Sequence, residues 1–190
     1  MIRIAIFASG SGSNAESIMN YFKDHPEIRV SLILSNDPSA HVLQRAMNHG
    51  VSSRTFDRRS FREGEVMRIL EQYNIDIIVL AGFLWLVPEM YIRRYPILNI
   101  HPALLPKFGG KGLYGIRVHR AVKDAGETES GMTIHEVNEE YDKGDILFQQ
   151  KCEVLSTDTP EEIAARVLKL EHRHYPRVIE EFATNRYKKS

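Results

Sequence analysis

Asn99 and His101 are the residues of this chain whose types and spacing most clearly suit chemistry. They follow the run Tyr95-Pro96-Ile97-Leu98, which is typical of a buried strand end, and residues two apart on a strand face the same side. An amide N–H beside an imidazole can stabilise an oxyanion and move a proton, which are the two needs of acyl transfer. A capped strand with a surface histidine explains the same pair equally well, because single short motifs often match by chance.

Asp142 is a candidate partner for His101, and it lies in the polar segment Tyr141-Asp142-Lys143-Gly144-Asp145 between two later strands. A carboxylate near the imidazole would favour its charged form, so this hypothesis predicts that His101 titrates above its ordinary pKa of ~6.5. An acidic residue close to a glycine is more often part of a plain turn. The composition of the loop alone favours the turn.

The segment Ser9-Gly10-Ser11-Gly12-Ser13-Asn14 joins the first predicted strand to the first predicted helix. Glycines let a backbone approach a ligand, and the free N–H groups of a helix N-terminus attract anions, so this segment predicts a phosphate cradle. It lacks the third glycine of the dinucleotide fingerprint and the Gly-Lys-Ser/Thr of a P-loop. An ordinary strand-to-helix turn is the alternative.

The apolar segment Leu84-Trp85-Leu86-Val87 follows the clearest inner strand, predicted at 76–81. Such a stripe is most often core, but at the carboxyl end of a strand it could also form the wall of a pocket for a flat heteroaromatic ligand. His119 and His135 could line a site as well. No set of His, Cys and Asp has convincing metal-ligand spacing, so we predict no metal.

Strand-like and helix-like segments alternate through the first hundred residues, which predicts one α/β domain over 1–190 with a doubly wound, mostly parallel sheet. The predicted strands are 2–8, 30–34, 53–56, 76–81 and 97–100, and the predicted helices are 15–23, 42–48, 63–73 and 89–94. A helix at 117–124 follows, and strands at 132–137 and 145–154 should form an antiparallel pair at the sheet edge. The chain then forms a long helix over 160–182, capped by Thr159 and kinked or split at Pro176.

The composition of the chain argues against several classes of protein. Lys plus Arg and Asp plus Glu both number 25, and this balance argues against a nucleic-acid-coating protein. Cys152 is the single cysteine, so an intrachain disulfide is impossible and a reducing compartment is expected. The apolar run at the N-terminus is too short for a signal peptide, and no stretch approaches the ~20 apolar residues of a membrane span. We therefore predict a cytoplasmic protein without nucleic-acid or membrane partners.

Several of these motifs together resemble the phosphoribosylglycinamide formyltransferase family, the folate-dependent glycinamide ribonucleotide transformylases of purine biosynthesis. The resemblance covers nearly the whole chain in the right order. It is carried by Gly10 to Asn14, Leu80-Ala81-Gly82-Phe83, Asn99-Ile100-His101-Pro102, Leu104-Leu105-Pro106, Asp142 and Glu171-His172.

The resemblance implies formyl transfer from the cosubstrate 10-formyltetrahydrofolate to the amine of glycinamide ribonucleotide, without a metal, by a monomer or homodimer. The implied catalytic residues are Asn99, His101 and Asp142. The implied ribonucleotide-binding residues are Gly12, Ser13, Asn14, Lys107 and Glu171. The implied folate-binding residues are Arg62, Leu84, Trp85, Leu86, Val87, Asn138, Glu139, Glu140 and Tyr141. Residues 1–100 would then mainly bind the nucleotide, and residues 101–190 the folate and the reacting groups.

Three other functions share part of this apparatus. A formyltetrahydrofolate hydrolase would carry an additional N-terminal domain, whereas here a strand is expected from Ile2. A methionyl-tRNA formyltransferase would carry a further C-terminal RNA-binding domain. A non-catalytic nucleotide-binding module would explain the glycine-rich loop but not the three catalytic candidates. Two features depart from the family: a longer, glycine-rich segment at 108–115, and Lys143 where glycine is common.

Overall fold

One seven-stranded sheet organises the computed structural model, which describes residues 1–187. The strands are β1 (Ile2–Phe7), β2 (Ile28–Ser35), β3 (Ser52–Thr55), β4 (Ile77–Leu80), β5 (Ile97–His101), β6 (Glu129–Glu136) and β7 (Ile146–Glu153). Their order is β3-β2-β1-β4-β5-β6-β7. The first five strands pair in parallel, and β6 and β7 pair antiparallel, as the sequence predicts for the edge of the sheet.

Seven helices connect and flank the strands within the described chain. They are α1 (Ser13–Tyr21), α2 (His41–Asn48), α3 (Arg58–Arg62), α4 (Glu65–Gln72), α5 (Glu89–Arg94), α6 (Ile116–Asp124) and α7 (Pro160–Tyr187). The sequence analysis missed α3, a single short helix. It begins at Asp57, whose carboxylate accepts from the backbone N–H of Ser60 at 2.8 Å while the Ser60 hydroxyl accepts from the backbone N–H of Asp57 at 3.2 Å. Such reciprocal capping satisfies free donors at the start of a helix.

The long helix α7 is continuous from Pro160 to Tyr187, so the split considered at Pro176 does not occur. Thr159 caps it as predicted, because its hydroxyl accepts from the N–H of Glu162 at 3.2 Å. Proline removes one backbone hydrogen bond from a helix interior. Here Tyr175 and Ile179 are fully buried on either side of Pro176. The burial of these side chains, about 1.5–3 kcal/mol for a large one, offsets the lost hydrogen bond.

Both faces of the sheet are covered, which explains the uninterrupted apolar run of β1. Ile4 and Ile6 belong to the core beneath α1 and α7. Ala5 and Phe7 point to the opposite face and pack with residues of α3, α4 and α5. Alternation with period two therefore places every residue of this strand centre in a core. In the span 1–187, no helix combines the length and apolarity needed to cross a bilayer.

Candidate active site

A cavity of about 850 Å³ opens at the carboxyl ends of β1, β4 and β5. This edge is where open α/β sheets bind their ligands. The loop that follows each of these strands contributes to the lining, and so do the β6–β7 loop and one face of α7. The site is consequently built from both halves of the chain.

One end of the cavity, which we call the cradle, is formed by residues 10–14. Gly12 begins α1 with a φ of 73°, a conformation that strongly favours glycine. A Cβ at this position would lie 2.5 Å from side-chain atoms of Val42 in α2. Gly12 is therefore required by the packing of α2 against the loop. A Cβ at Gly10 would meet no described atom within 4 Å, so Gly10 is the glycine that leaves room for a ligand.

Asn14 and Glu171 join the cradle to α7. The Asn14 amide donates to Glu171 Oε2 at 2.7 Å, and both residues line the cavity. Glu171 is only 6% exposed, and burial raises its pKa to about 7, although the bond from Asn14 opposes this shift. The Oδ1 atom of Asn14 is buried and has no partner within residues 1–187. The cradle thus borders the Glu171 carboxyl, whose pKa is raised to about 7, and contains Asn14 Oδ1, which can accept a hydrogen bond.

The other end of the cavity holds the predicted catalytic residues. Asn99 and His101 lie two residues apart on β5, and Asp142 lies opposite them in the β6–β7 loop. His101 Nδ1 is 3.4 Å from Asp142 Oδ2, and the Asn99 amide donates to Asp142 Oδ1 at 3.4 Å. Asp142 has a φ of 56°, which turns the backbone back toward β5. Asp142 therefore contacts both Asn99 and His101, so the loop around it is more than a plain turn.

His135 is a fourth member of this cluster, although the sequence analysis named it only as a residue that could line a site. It lies on β6 directly opposite Asn99 in the antiparallel register. Its Nε2 atom is 3.1 Å from Asn99 Nδ2 and 3.6 Å from Asp142 Oδ1. The alternation within 132–137 would have placed His135 on one face of a strand, but only the register places it beside Asn99.

The glycine-rich segment 108–115 begins against the same cluster. His101 Nε2 is 2.8 Å from the carbonyl oxygen of Phe108, and the N–H of Gly110 donates to Asp142 Oδ2 at 2.9 Å. A Cβ at Gly109 would lie 3.3 Å from the Cβ of Asp142 and 2.5 Å from a methyl carbon of Leu105. This glycine-rich segment is therefore joined to the predicted catalytic residues by hydrogen bonds from its main chain.

Two ionisable partners in this cluster respond differently to burial. Burial alone would raise the pKa of Asp142, but the bond from His135, the charge of His101 and the N–H of Gly110 together lower it. Burial lowers the pKa of His101, which is 4% exposed, and outweighs the opposing effect of Asp142. The expectation that His101 titrates above ~6.5 is therefore wrong. Asp142 is therefore an anion at neutral pH, and His101 is mainly a neutral imidazole.

The predicted apolar wall, residues 84–87, also lines the cavity. Leu84 and Leu86 line the cavity and are 47% and 44% exposed, as expected for side chains that a bound ligand would cover. Trp85 instead packs its ring 6.1 Å from that of Phe83, and the guanidinium of Arg58 lies 4.7 Å from the Trp85 ring centre. The wall therefore combines two exposed leucines with a tryptophan that packs against the core between β1 and helices α3 to α5.

Most of the predicted site residues line this cavity. Those present are Gly12, Ser13, Asn14, Leu84, Trp85, Leu86, Val87, Asn99, His101, Asn138, Glu140, Tyr141, Asp142 and Glu171. Three others lie outside its lining. Arg62 is exposed at the end of α3, Glu139 is exposed in the β6–β7 loop, and Lys107 forms an ion pair with Glu127 at 2.8 Å. Within residues 1–187, no group of three or more His, Cys, Asp or Glu is arranged to hold a metal ion.

Comparison with known proteins defines the class of this site. Residues 2–179 match the family described as formyl transferase, and the chain belongs to that family. It is thus a formyl-transferring enzyme. It is 43% identical to the chloroplastic phosphoribosylglycinamide formyltransferase of Arabidopsis thaliana, over 98% of this chain and 67% of that protein. It is 34% identical to the phosphoribosylglycinamide formyltransferase of Escherichia coli, over 98% of this chain and 90% of that protein.

The solved structures agree with this assignment of family. The chain is similar to glycinamide ribonucleotide transformylase 1 from Symbiobacterium toebii, with a TM-score of 0.89 and 34% sequence identity. This match covers 98% of the present chain and 89% of the other. The doubly wound fold with its antiparallel edge is therefore shared along nearly the whole length.

Proposed function

We propose that this enzyme transfers the formyl group of 10-formyltetrahydrofolate to the amine of glycinamide ribonucleotide, a step of purine biosynthesis. The observation that carries the proposal is the contact of Asn99, His101 and Asp142 inside one cavity, between an anion cradle and an apolar wall. The names of the relatives support the same substrates. The family supports a folate-type donor in general, and 10-formyltetrahydrofolate is our specific proposal.

The two substrates would approach the catalytic residues from opposite ends. The phosphate of the ribonucleotide would bind at residues 10–14, where α1 begins and backbone N–H groups are free. The ring of the folate would lie against Leu84 and Leu86 and the loop that contains Tyr141. This arrangement would bring the amine and the formyl carbon together beside His101.

The reaction forms a bond between the amine nitrogen and the formyl carbon and breaks the bond between that carbon and the folate nitrogen. A tetrahedral intermediate with a negative oxygen lies between these events. Asn99 and His101 would stabilise this oxygen, and such positioned partners act most strongly in a site that excludes water. One proton of the amine must finally reach the departing folate nitrogen.

His101 is suited to gain charge during this reaction. Both of its ring nitrogens face oxygen acceptors, Phe108 O at 2.8 Å and Asp142 Oδ2 at 3.4 Å. Asp142 would accept from one N–H of an imidazolium, and the formyl oxygen would replace the carbonyl oxygen of Phe108 as the partner of the other. Burial of the ring is what lowers the pKa of His101. A negative oxygen nearby would raise that pKa and let His101 take the proton. Asp142, held as an anion, would orient the ring and favour its charged form.

A direct assay tests the proposal. Purified enzyme, 10-formyltetrahydrofolate and glycinamide ribonucleotide should give formylated ribonucleotide and tetrahydrofolate in equal amounts. Release of formate without formylated product would contradict the proposal and indicate a hydrolase. Binding of nucleotide with no turnover of the folate would indicate a non-catalytic module. A cytoplasmic location and a monomeric or homodimeric state stay predictions.

A further inference from the structure

Only two cationic residues, Lys111 and Arg117, line the cavity in the described part of the chain. Both lie on residues 108–117, which we call the lid. Neither forms an ion pair within residues 1–187, whereas the cavity also contains the carboxyl groups of Asp142 and Glu171. The proposed substrates are both anions, and the cradle itself contributes no charged donor. The lid is therefore the one described source of positive charge for them.

The lid is connected to the cradle side of the cavity through α6 and α7. These two helices pack together, and the cavity-facing residues of α7 next to α6 are small or apolar, namely Ala164, Ala165 and Leu168. One turn further along, Glu171 bonds to Asn14 of the cradle. The base of the lid therefore stands on the same wall of the cavity as the cradle, and on the ribonucleotide side of the reaction.

A buried polar atom without a protein partner in residues 1–187 lies at the start of α6. Gly115 begins this nine-residue helix without a side-chain cap, and the N–H groups of Arg117 and Val118 donate to the carbonyl oxygens of Tyr114 and Gly115 at 3.3 and 3.2 Å. In the first turn, His119 lines the cavity and is 4% exposed, and its Nδ1 atom is buried without a partner in the described chain. Buried polar atoms of this kind normally have hydrogen-bond partners. The ring of Tyr114 lies 4.9 Å from the guanidinium carbon of Arg117, which leaves the N–H edges of that group free.

We propose that Lys111, Arg117 and the N-terminus of α6 form a second anion subsite, which holds the phosphate of the ribonucleotide together with residues 10–14. This inference rests on the proposed function and extends it to a segment that departs from the family pattern. An arginine fork binds phosphate oxygens in pairs, and the dipole at a helix N-terminus also favours an anion. The glycines at 110, 112 and 115, which have φ values of 100°, 91° and 54°, give the lid a backbone that can fit a ligand.

The test measures binding rather than catalysis. Ribose 5-phosphate and ribose are titrated by calorimetry into the parent enzyme, Arg117→Gln, Lys111→Gln and the control Arg120→Gln. Arg120 is exposed on the same helix but does not line the cavity. We expect Arg117→Gln to weaken binding of ribose 5-phosphate by about tenfold or more, the scale of a charge-assisted hydrogen bond. Lys111→Gln should weaken it less, and Arg120→Gln should leave it unchanged.

Three results would overturn the subsite. The first is equal binding of ribose 5-phosphate by Arg117→Gln, Lys111→Gln and Arg120→Gln. The second is an equal loss of affinity for ribose, which would show that the substituted residue contacts the sugar rather than the phosphate. The third is a weaker affinity for a folate with glutamate carboxylates, titrated in the same way, with unchanged affinity for ribose 5-phosphate; this would assign the lid to the other substrate. Because no formyl transfer is measured, a failure of the proposed reaction would leave a phosphate-specific effect of Arg117 intact. Circular dichroism confirms that each variant is folded.

Discussion

The buried carboxyl of Glu171, beside the cradle, and the partly buried carboxyl of Asp142, beside His101, line one cavity and yet differ in pKa. Glu171 has a single neutral partner, the Asn14 amide, and burial raises its pKa to about 7. Asp142 has two imidazoles and a backbone N–H around it, and these lower its pKa despite burial. The number and charge of the partners, rather than depth alone, decide the protonation of each group. Such divergence is what the proposed roles require, binding for Glu171 and catalysis for Asp142.

The largest expected effect is at the catalytic end. Replacing His101 with Ala removes both an oxyanion partner and a proton acceptor, so we expect kcat to fall by about 10³-fold or more. Ribose 5-phosphate should bind as before, because its phosphate is held elsewhere. Single-turnover kinetics measure the loss. A kcat within tenfold of the parent value would place the chemistry outside this cluster.

Asp142→Asn should lower kcat by about 10²-fold or more, since the variant keeps the shape but loses the charge that favours a protonated His101. The pKa of His101 should fall further, because Asp142 is the main group that opposes its burial. Asp145→Asn in the same loop is the matched control, since Asp145 is exposed. Normal turnover together with an unmoved His101 titration by NMR would contradict the coupling of the two residues.

The raised pKa of Glu171, beside the cradle, predicts that this residue makes the stability of the fold depend on pH. The folded pKa of Glu171 lies above the usual carboxyl value, so the folded state binds more protons between about pH 4.5 and 7. The contribution of Glu171 to stability is therefore present below pH 4.5 and lost as the pH rises through 7. Glu171→Gln should be about as stable as the parent at pH 4.5, and up to roughly 3 kcal/mol more stable at pH 8.

Urea unfolding at the two pH values, with exposed Glu181→Gln on the same helix as the control, measures this difference. A parent and a Glu171→Gln variant with parallel pH dependence would show that the two carboxyls do not differ as described. If Glu171 contacts the ribonucleotide, the Glu171→Gln variant should also bind the ribonucleotide less tightly. The two measurements together would distinguish the effect of Glu171 on stability from its effect on binding.

The smallest expected effect separates the two cradle glycines. Gly10→Val should raise the dissociation constant for ribose 5-phosphate by about tenfold without a change in stability, because its side chain would enter open space in the cavity. Gly12→Val should instead destabilise the fold by about 1–3 kcal/mol, because it would overlap Val42. Thermal unfolding and calorimetry distinguish the two. Equal behaviour of both variants would make the loop a purely structural turn.

Much of the fold follows from local pattern. Runs such as Ile2 to Phe7 and the alternation within β6 predict strands, and Thr159 before Pro160 predicts the start of α7. Asn99 and His101 share a face of β5 because side chains alternate along any strand. These properties depend on residues that are close in the sequence.

The features of the site that could not be predicted from the sequence depend on contacts between residues far apart in the chain. His135 meets Asn99 through a strand register set between two segments that are far apart in the chain. Lys107 turns toward Glu127 because of the path of its loop, and no pattern around it indicates that path. The sign of the pKa shift of His101 depends on how deeply the ring is buried. Pairing two residues correctly is therefore insufficient to predict their protonation.

Tyr175 of α7 has a consequence for the order in which the enzyme becomes competent during its synthesis. Its hydroxyl lies 3.0 Å from the carbonyl oxygen of Leu80 and 3.1 Å from that of Leu98, at the edge where β4 and β5 open toward the cavity. Ribosomes make the sheet first and α7 after every strand. A nascent chain can thus contain Asn99, His101 and Asp142 before Tyr175 has bonded to β4 and β5 and before Glu171 has been made. Substrate binding should appear late and abruptly, once α7 has left the ribosome and docked.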